Sequence, residues 1–103
     1  EIEQALMAHP AVDDAAVIGI PDDTWGETIR ALIVLKSQEK TGPDEITEFA
    51  RERLASYKKP ESVIFVNELP RNPMGKVLKR VLREQVGGPD VENGSEVTLA
   101  PVT

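Results

Sequence analysis

Apolar residues recur as far as Val86 with two different periods, and the changes between them divide the chain into short elements. Residues 1–8 place Ile2, Ala5 and Leu6 at helical spacing. His9-Pro10 then ends the helix, because a residue before proline avoids the helical region. After the Asp13-Asp14 turn, Ala15 to Ile20 is a short apolar run with β-branched residues, closed by Gly19 and Pro21, and it predicts a buried strand. The loop PDDTWGE follows. Beyond it Ile29, Ala31, Ile33 and Leu35 alternate with Arg30, Leu32, Val34 and Lys36. That is strand periodicity with one cleanly apolar face, and two strands joined by a loop predict an antiparallel pair.

Gly42-Pro43-Asp44 starts a second helix, since proline is preset for the first helical turn and acids favour the positive end of the dipole. Ile46, Phe49, Ala50 and Leu54 form its apolar stripe, and Tyr57-Lys58-Lys59-Pro60 interrupts it. Val63 to Val66 reads as a third strand, Pro70 to Gly75 as a loop, and Lys76 to Val86 as a last helix. On that helix Val77, Leu78, Val81 and Leu82 face inward, while Lys76, Lys79, Arg80 and Arg83 share one basic face. From Gly87 onward, turn formers and acids lack sustained periodicity and predict a mobile tail over 87–103. Residues 1–86 are therefore expected to form one small α+β domain, a three-stranded sheet with flanking helices.

At 103 residues the chain is too short for two domains or a large enzyme, and its opening at Glu1 without a Met reads as a fragment of a longer protein. The net charge of −6 argues against a nucleic-acid binder held by phosphate contacts. That charge is segregated. Residues 1–50 carry eleven acids and three bases, whereas residues 51–86 carry nine bases and four acids. Cysteine is absent, which excludes disulfides, thiolate metal sites and a cysteine nucleophile. No apolar run reaches the roughly 18 residues of a membrane span and no signal peptide is visible, so the cytoplasm is the simplest compartment; membrane association is left open.

Chemistry concentrates in LPRNPMGKVLKR, residues 69–80, where prolines and a glycine stiffen a loop that delivers a lysine. A lysine is cationic at neutral pH and stabilises anionic charge directly. Spacing alone favours the plainer reading, in which Lys76 opens a solvated helix face and Gly75 permits the turn. A P-loop is rejected: Pro70 stands where its first glycine belongs, and Val77 where Ser or Thr would hold magnesium. His9 has no partner cluster and reads as a helix terminator. Asp22, Asp23 and Glu27 supply too few ligands for a carboxylate metal site, so no metal is assigned.

The blocks EIEQALMAHPAVDDAAVIGIPDDTWGE, RALIVL, SYKKP and FVNELPRNPMGKVLKRVLRE, in this order, resemble the C-terminal domain of the adenylate-forming acyl-CoA synthetases over residues 1 to about 85. The resemblance implies the catalytic lid of a two-step AMP-forming ligase. A large N-terminal domain would hold magnesium-ATP and a carboxylic acid, and the lid would insert the lysine of a P-x-x-x-x-G-K motif that matches Pro70 to Lys76. Lys76 would thus be the adenylation lysine, with Gly75 allowing close approach of the loop.

By the same resemblance the lid rotates on a hinge after adenylation and helps to form the tunnel through which CoA attacks. The hinge and the hairpin lining the tunnel in relatives lie before Glu1, so the domain alone is expected to be inactive. Tyr57 and Lys59 inherit a possible contact with the adenine and phosphate end of CoA, and Trp25 one beside pantetheine. Packing of Tyr57 and Trp25 and solvation of Lys59 are the competing readings. Acetylation of Lys76 would remove its charge. The overall look leans toward a fatty acid substrate. An adenylation domain loading a carrier-protein thiol, a luciferase-like enzyme and a free-standing anion-binding domain are the alternatives.

Overall fold

The computed structural model describes residues 2–24, 26–54 and 60–101. Helix α1 (Ile2–Met7) precedes strands β1 (Val12–Asp22) and β2 (Gly26–Leu35). Helix α2 (Pro43–Arg53), strand β3 (Ser62–Val66), helix α3 (Lys79–Val86) and strand β4 (Glu96–Val97) follow. The strands form one sheet in the order β1-β2-β3-β4.

β1 and β2 pair antiparallel, as their alternation predicts, and the ladder runs past the apolar run to Asp22 opposite Gly26. A register irregularity between Val12 and Asp14 marks the start of the ladder. β2 and β3 run parallel, so the chain must cross the sheet between them, and α2 makes that crossing. Pro43 stands at its N-terminus, Asp44 and Glu45 lie in its first turn, and Arg51 and Arg53 lie in its last, each sign matching the helix dipole.

Successive residues of a strand point to opposite faces, and here both faces are covered. Ala31, Ile33, Val63 and Phe65 pack with Leu6 of α1 and with Ile46 and Ala50 of α2. Ala16, Ile18, Leu32 and Ile64 pack instead with Leu82 and Val86 of α3. Full burial of a side chain such as Ile46 contributes about 1.5–3 kcal/mol. Of the stripe expected on α2, Ile46 and Ala50 are buried, whereas Phe49 is only half-buried and Leu54 lies just past the helix end. Phe49 meets the His9 ring edge-on, with centroids 4.7 Å apart. His9 does follow the end of α1. Its Nδ1 accepts the Ala11 N–H at 3.0 Å, so Nε2 carries the proton and donates to Glu45 Oε2 at 2.7 Å.

Two expectations are corrected. β2 has more than the one apolar face expected, because α3 closes over the side that carries Leu32. Arg30 lies on that side, 5% exposed. Its guanidinium donates to the carbonyls of Val86 (2.7 Å), Gly88 (2.9 Å) and Val91 (3.0 Å) and to Ser62 Oγ (3.0 Å). Burial draws its pKa below the usual arginine value, and Asp90 opposes that shift.

The second correction concerns the mobile tail. Residues 87–101 pack against the sheet and add a fourth strand, with Phe65 opposite Glu96 and Val66 opposite Val97 in parallel. Leu99 is buried in the core. Side-chain amides hold the segment where apolar periodicity does not. Asn93 Oδ1 accepts the Val63 N–H at 2.7 Å, Asn67 Oδ1 the Leu99 N–H at 2.8 Å, and Gln85 Oε1 the Ala100 N–H at 2.7 Å.

Candidate functional site

Between β3 and α3 the chain doubles back on itself. Arg71 and Val77 form an antiparallel bridge, and the Leu78 N–H donates to the Pro70 carbonyl at 2.8 Å. Pro73, Met74 and Gly75 make the tip of this hairpin, and Gly75 adopts φ +85°, a region closed to most side chains. Pro73 has no N–H to satisfy. The other tip amides all go to one residue: Asn72 Oδ1 accepts from Met74 N–H (2.9 Å) and Lys76 N–H (3.0 Å), and the Asn72 carbonyl accepts from Gly75 N–H (2.9 Å). The Asn72 N–H donates in turn to the Lys76 carbonyl at 2.9 Å. A loop with its backbone groups paired in this way holds its shape without help from solvent.

Lys76 stands on the returning arm of this hairpin rather than at the first position of α3, which begins three residues later at Lys79. The helical spacing of residues 76, 79, 80 and 83 does not make one helix face, because the bridge to Arg71 holds Val77 extended. Lys76 is exposed, and among the described residues its ammonium has no bonded acceptor. Its cationic neighbours on α3 are engaged: Lys79 Nζ lies 3.3 Å from Glu3 Oε2 and Arg80 Nη1 lies 3.0 Å from Glu84 Oε1. A shallow groove runs along this edge, lined by Glu3 and residues 76–80, with the side chains of Val77 and Leu78 half-buried in its floor. The arrangement offers an uncommitted cation on a rigid support, open to a ligand or a second domain.

Gly75 and Lys76 therefore sit side by side in one hairpin. Trp25, Tyr57 and Lys59 lie outside the described residues. Asp22 and Glu27 are placed near opposite ends of the β1–β2 turn, and among the described residues no group of three or more His, Asp or Glu side chains converges. Sequence reading passed over Asn72, whose position between two prolines in a Gly-containing loop is a turn signal of the kind that Asx side chains satisfy. It also passed over Arg71 and Asp14, which no local pattern connects.

The family model described as AMP-binding enzyme C-terminal domain matches residues 1–76. The chain is 51% identical over 85 residues to the long-chain-fatty-acid–CoA ligase FadD13 of Mycobacterium tuberculosis, covering 82% of this chain and 17% of that protein. It is 45% identical over 86 residues to the mitochondrial malonate–CoA ligase ACSF3 of Bos taurus, covering 84% of this chain and 15% of that protein. The structure of ATP-bound MatB from Rhodopseudomonas palustris superposes with a TM-score of 0.76 at 41% identity, covering 81% of this chain and 16% of that one. The chain thus spans about one-sixth of the length of these relatives.

Proposed function

Because the chain belongs to the AMP-binding enzyme C-terminal domain family, we propose that it is the catalytic lid of an ATP-dependent acyl-CoA synthetase and that Lys76 acts in acid adenylation. The observation that carries this reading is the uncommitted ammonium of Lys76 on a hairpin whose tip amides are bonded within the loop. In the first half-reaction a carboxylate oxygen attacks the α-phosphorus of ATP, forming acyl-AMP and expelling pyrophosphate. Negative charge gathers on the oxygens around that phosphorus, and a preorganised cation in a site closed to water lowers the barrier. In the second, the thiol of CoA attacks the acyl carbonyl and AMP leaves. The lid rotates between the two, withdrawing Lys76.

The relatives support the ligase class, and one neighbour binds ATP. Magnesium is assigned to the large domain together with ATP. The acid is also chosen there. Relatives of similar identity to this chain are named for a long-chain fatty acid and for malonate, so the lid does not encode the acyl pocket. A fatty acid is the substrate class we favour, with Tyr57, Lys59 and Trp25 toward CoA and the cytoplasm as compartment. The domain alone should be inactive, because in this reading the large domain holds each reacting molecule while Lys76 faces solvent.

The test separates the half-reactions in the full-length enzyme. Lys76→Ala slows acyl-adenylate formation by about 10²–10³-fold, the loss of one charge-stabilising donor, and leaves thioester formation from supplied acyl-adenylate near its normal rate. Equal slowing of both steps contradicts the assignment.

A further inference from the structure

We infer that Asp14 and Arg71 form a two-residue brace that positions the Lys76 loop, so that Arg71 is a positioning residue for adenylation; this rests on the role proposed for Lys76. The brace starts in the sheet. The register irregularity falls at Asp13, between Val12 and Asp14, and from Asp14, opposite Val34, the ladder is regular, so Asp14 shares the parity of Ala16 and Ile18, which face α3. Asp14 Oδ1 accepts the N–H of Ala15 at 2.9 Å, which fixes the carboxylate plane and leaves Oδ2 directed outward. Arg71 Nη2 donates to that oxygen at 2.6 Å, and Arg71 Nη1 donates to the carbonyl of Gly75 at 2.7 Å.

The Gly75 carbonyl belongs to the peptide that leads directly into Lys76. One planar guanidinium therefore spans from the core sheet to the backbone that carries the lysine. Asn72 organises the loop internally, but none of its bonds reaches the rest of the fold. The Arg71–Val77 bridge at its base is likewise internal to the hairpin, whereas the Arg71 fork ties the tip to β1 through Asp14. Lysine cannot replace it, because a single ammonium lacks two parallel donors in a fixed fork. A loop that loses the tether still carries its charge but delivers it less accurately, and small misplacement of a catalytic group is costly.

The experiment measures single-turnover acyl-adenylate formation in the full-length enzyme for Arg71→Lys, Asp14→Asn and each of these combined with Lys76→Ala. Asp14→Asn keeps the acceptor for the Ala15 N–H and removes the charge. Each single variant is expected to slow adenylation about tenfold, with KM for ATP and acid within twofold and thioester formation from supplied acyl-adenylate unchanged. In the Lys76→Ala background neither causes further loss, because the brace acts only through that lysine. An unchanged adenylation rate in both single variants overturns the brace, as does an additive loss on top of Lys76→Ala. If Lys76→Ala is itself without effect, the lysine assignment fails, and that outcome is distinct from a slow Lys76→Ala enzyme with fast Arg71→Lys and Asp14→Asn variants.

Discussion

The guanidinium of Arg30, in the second strand of the antiparallel pair, donates to the carbonyl oxygen of Val86 at 2.7 Å, closing the C-terminal end of α3 from beneath. Helix ends leave carbonyls without partners, and a buried one needs a donor from elsewhere. Arg30 supplies it and extends the same service to Gly88 and Val91, so the last helix and the segment after it are fastened to the sheet by one side chain.

Arg30→Leu should therefore destabilise the domain by about 3 kcal/mol, since it removes the guanidinium donor from the carbonyls of Val86 and Val91 and leaves that of Gly88 only the Val91 N–H at 3.3 Å. Chemical denaturation checks the magnitude. Hydrogen exchange should show residues 87–100 losing protection first, and a stability within about 0.5 kcal/mol of the parent contradicts the role given to Arg30.

Arg30 also marks where sequence reading reached its limit. The alternation from Ile29 to Lys36 identified the strand and its antiparallel partner, because backbone pairing and side-chain period act locally. It could not tell that the polar position at Arg30 faces a second layer, since that depends on α3, more than fifty residues away. Strand β4 was invisible for a similar reason: two residues have no period, and amides from Asn67 and Asn93 do the fastening. The lysine loop was legible because Pro70, Pro73 and Gly75 are local punctuation. Residues 76–79 carry helical spacing, whereas the cross-loop bridge that holds Val77 extended leaves no mark in composition.

The hydrogen bond from His9 holds the carboxyl of Glu45 below the usual carboxylate range. A group whose pKa is lower in the folded state stabilises above its unfolded value, near ~4.3, and that contribution is lost as pH falls through the folded value. Comparison of the parent with Glu45→Gln by denaturant unfolding should give a constant difference above about pH 5 that shrinks in more acid solution. Parallel curves down to the acid limit contradict the linkage.

Gly75→Ala isolates conformation from packing. Among the described residues, its chain neighbours apart, no atom lies within 4 Å of the position a Cβ would take, so the cost comes from φ +85°. A loss of about 1–2 kcal/mol is expected, with adenylation slowed in the full-length enzyme. Gly75→Asn should recover part of both, because asparagine tolerates the left-handed region better than alanine. Equal effects of the two substitutions contradict a conformational origin.

The CoA-facing role proposed for Tyr57, Lys59 and Trp25 separates from that of Lys76 by half-reaction. Alanine at each should raise KM for CoA at least about fivefold, the scale of one lost stacking or phosphate contact, and leave acyl-adenylate formation unchanged. An unaltered KM for CoA in all three variants removes these residues from the thioester step.

The most direct measurement is a crystal structure of the full-length enzyme closed over a non-hydrolysable acyl-adenylate analogue. The account predicts Lys76 Nζ within about 3 Å of oxygens around the α-phosphorus, with the hairpin unchanged in shape. Lys76 directed into solvent, or its place taken by a cation from the large domain, contradicts it.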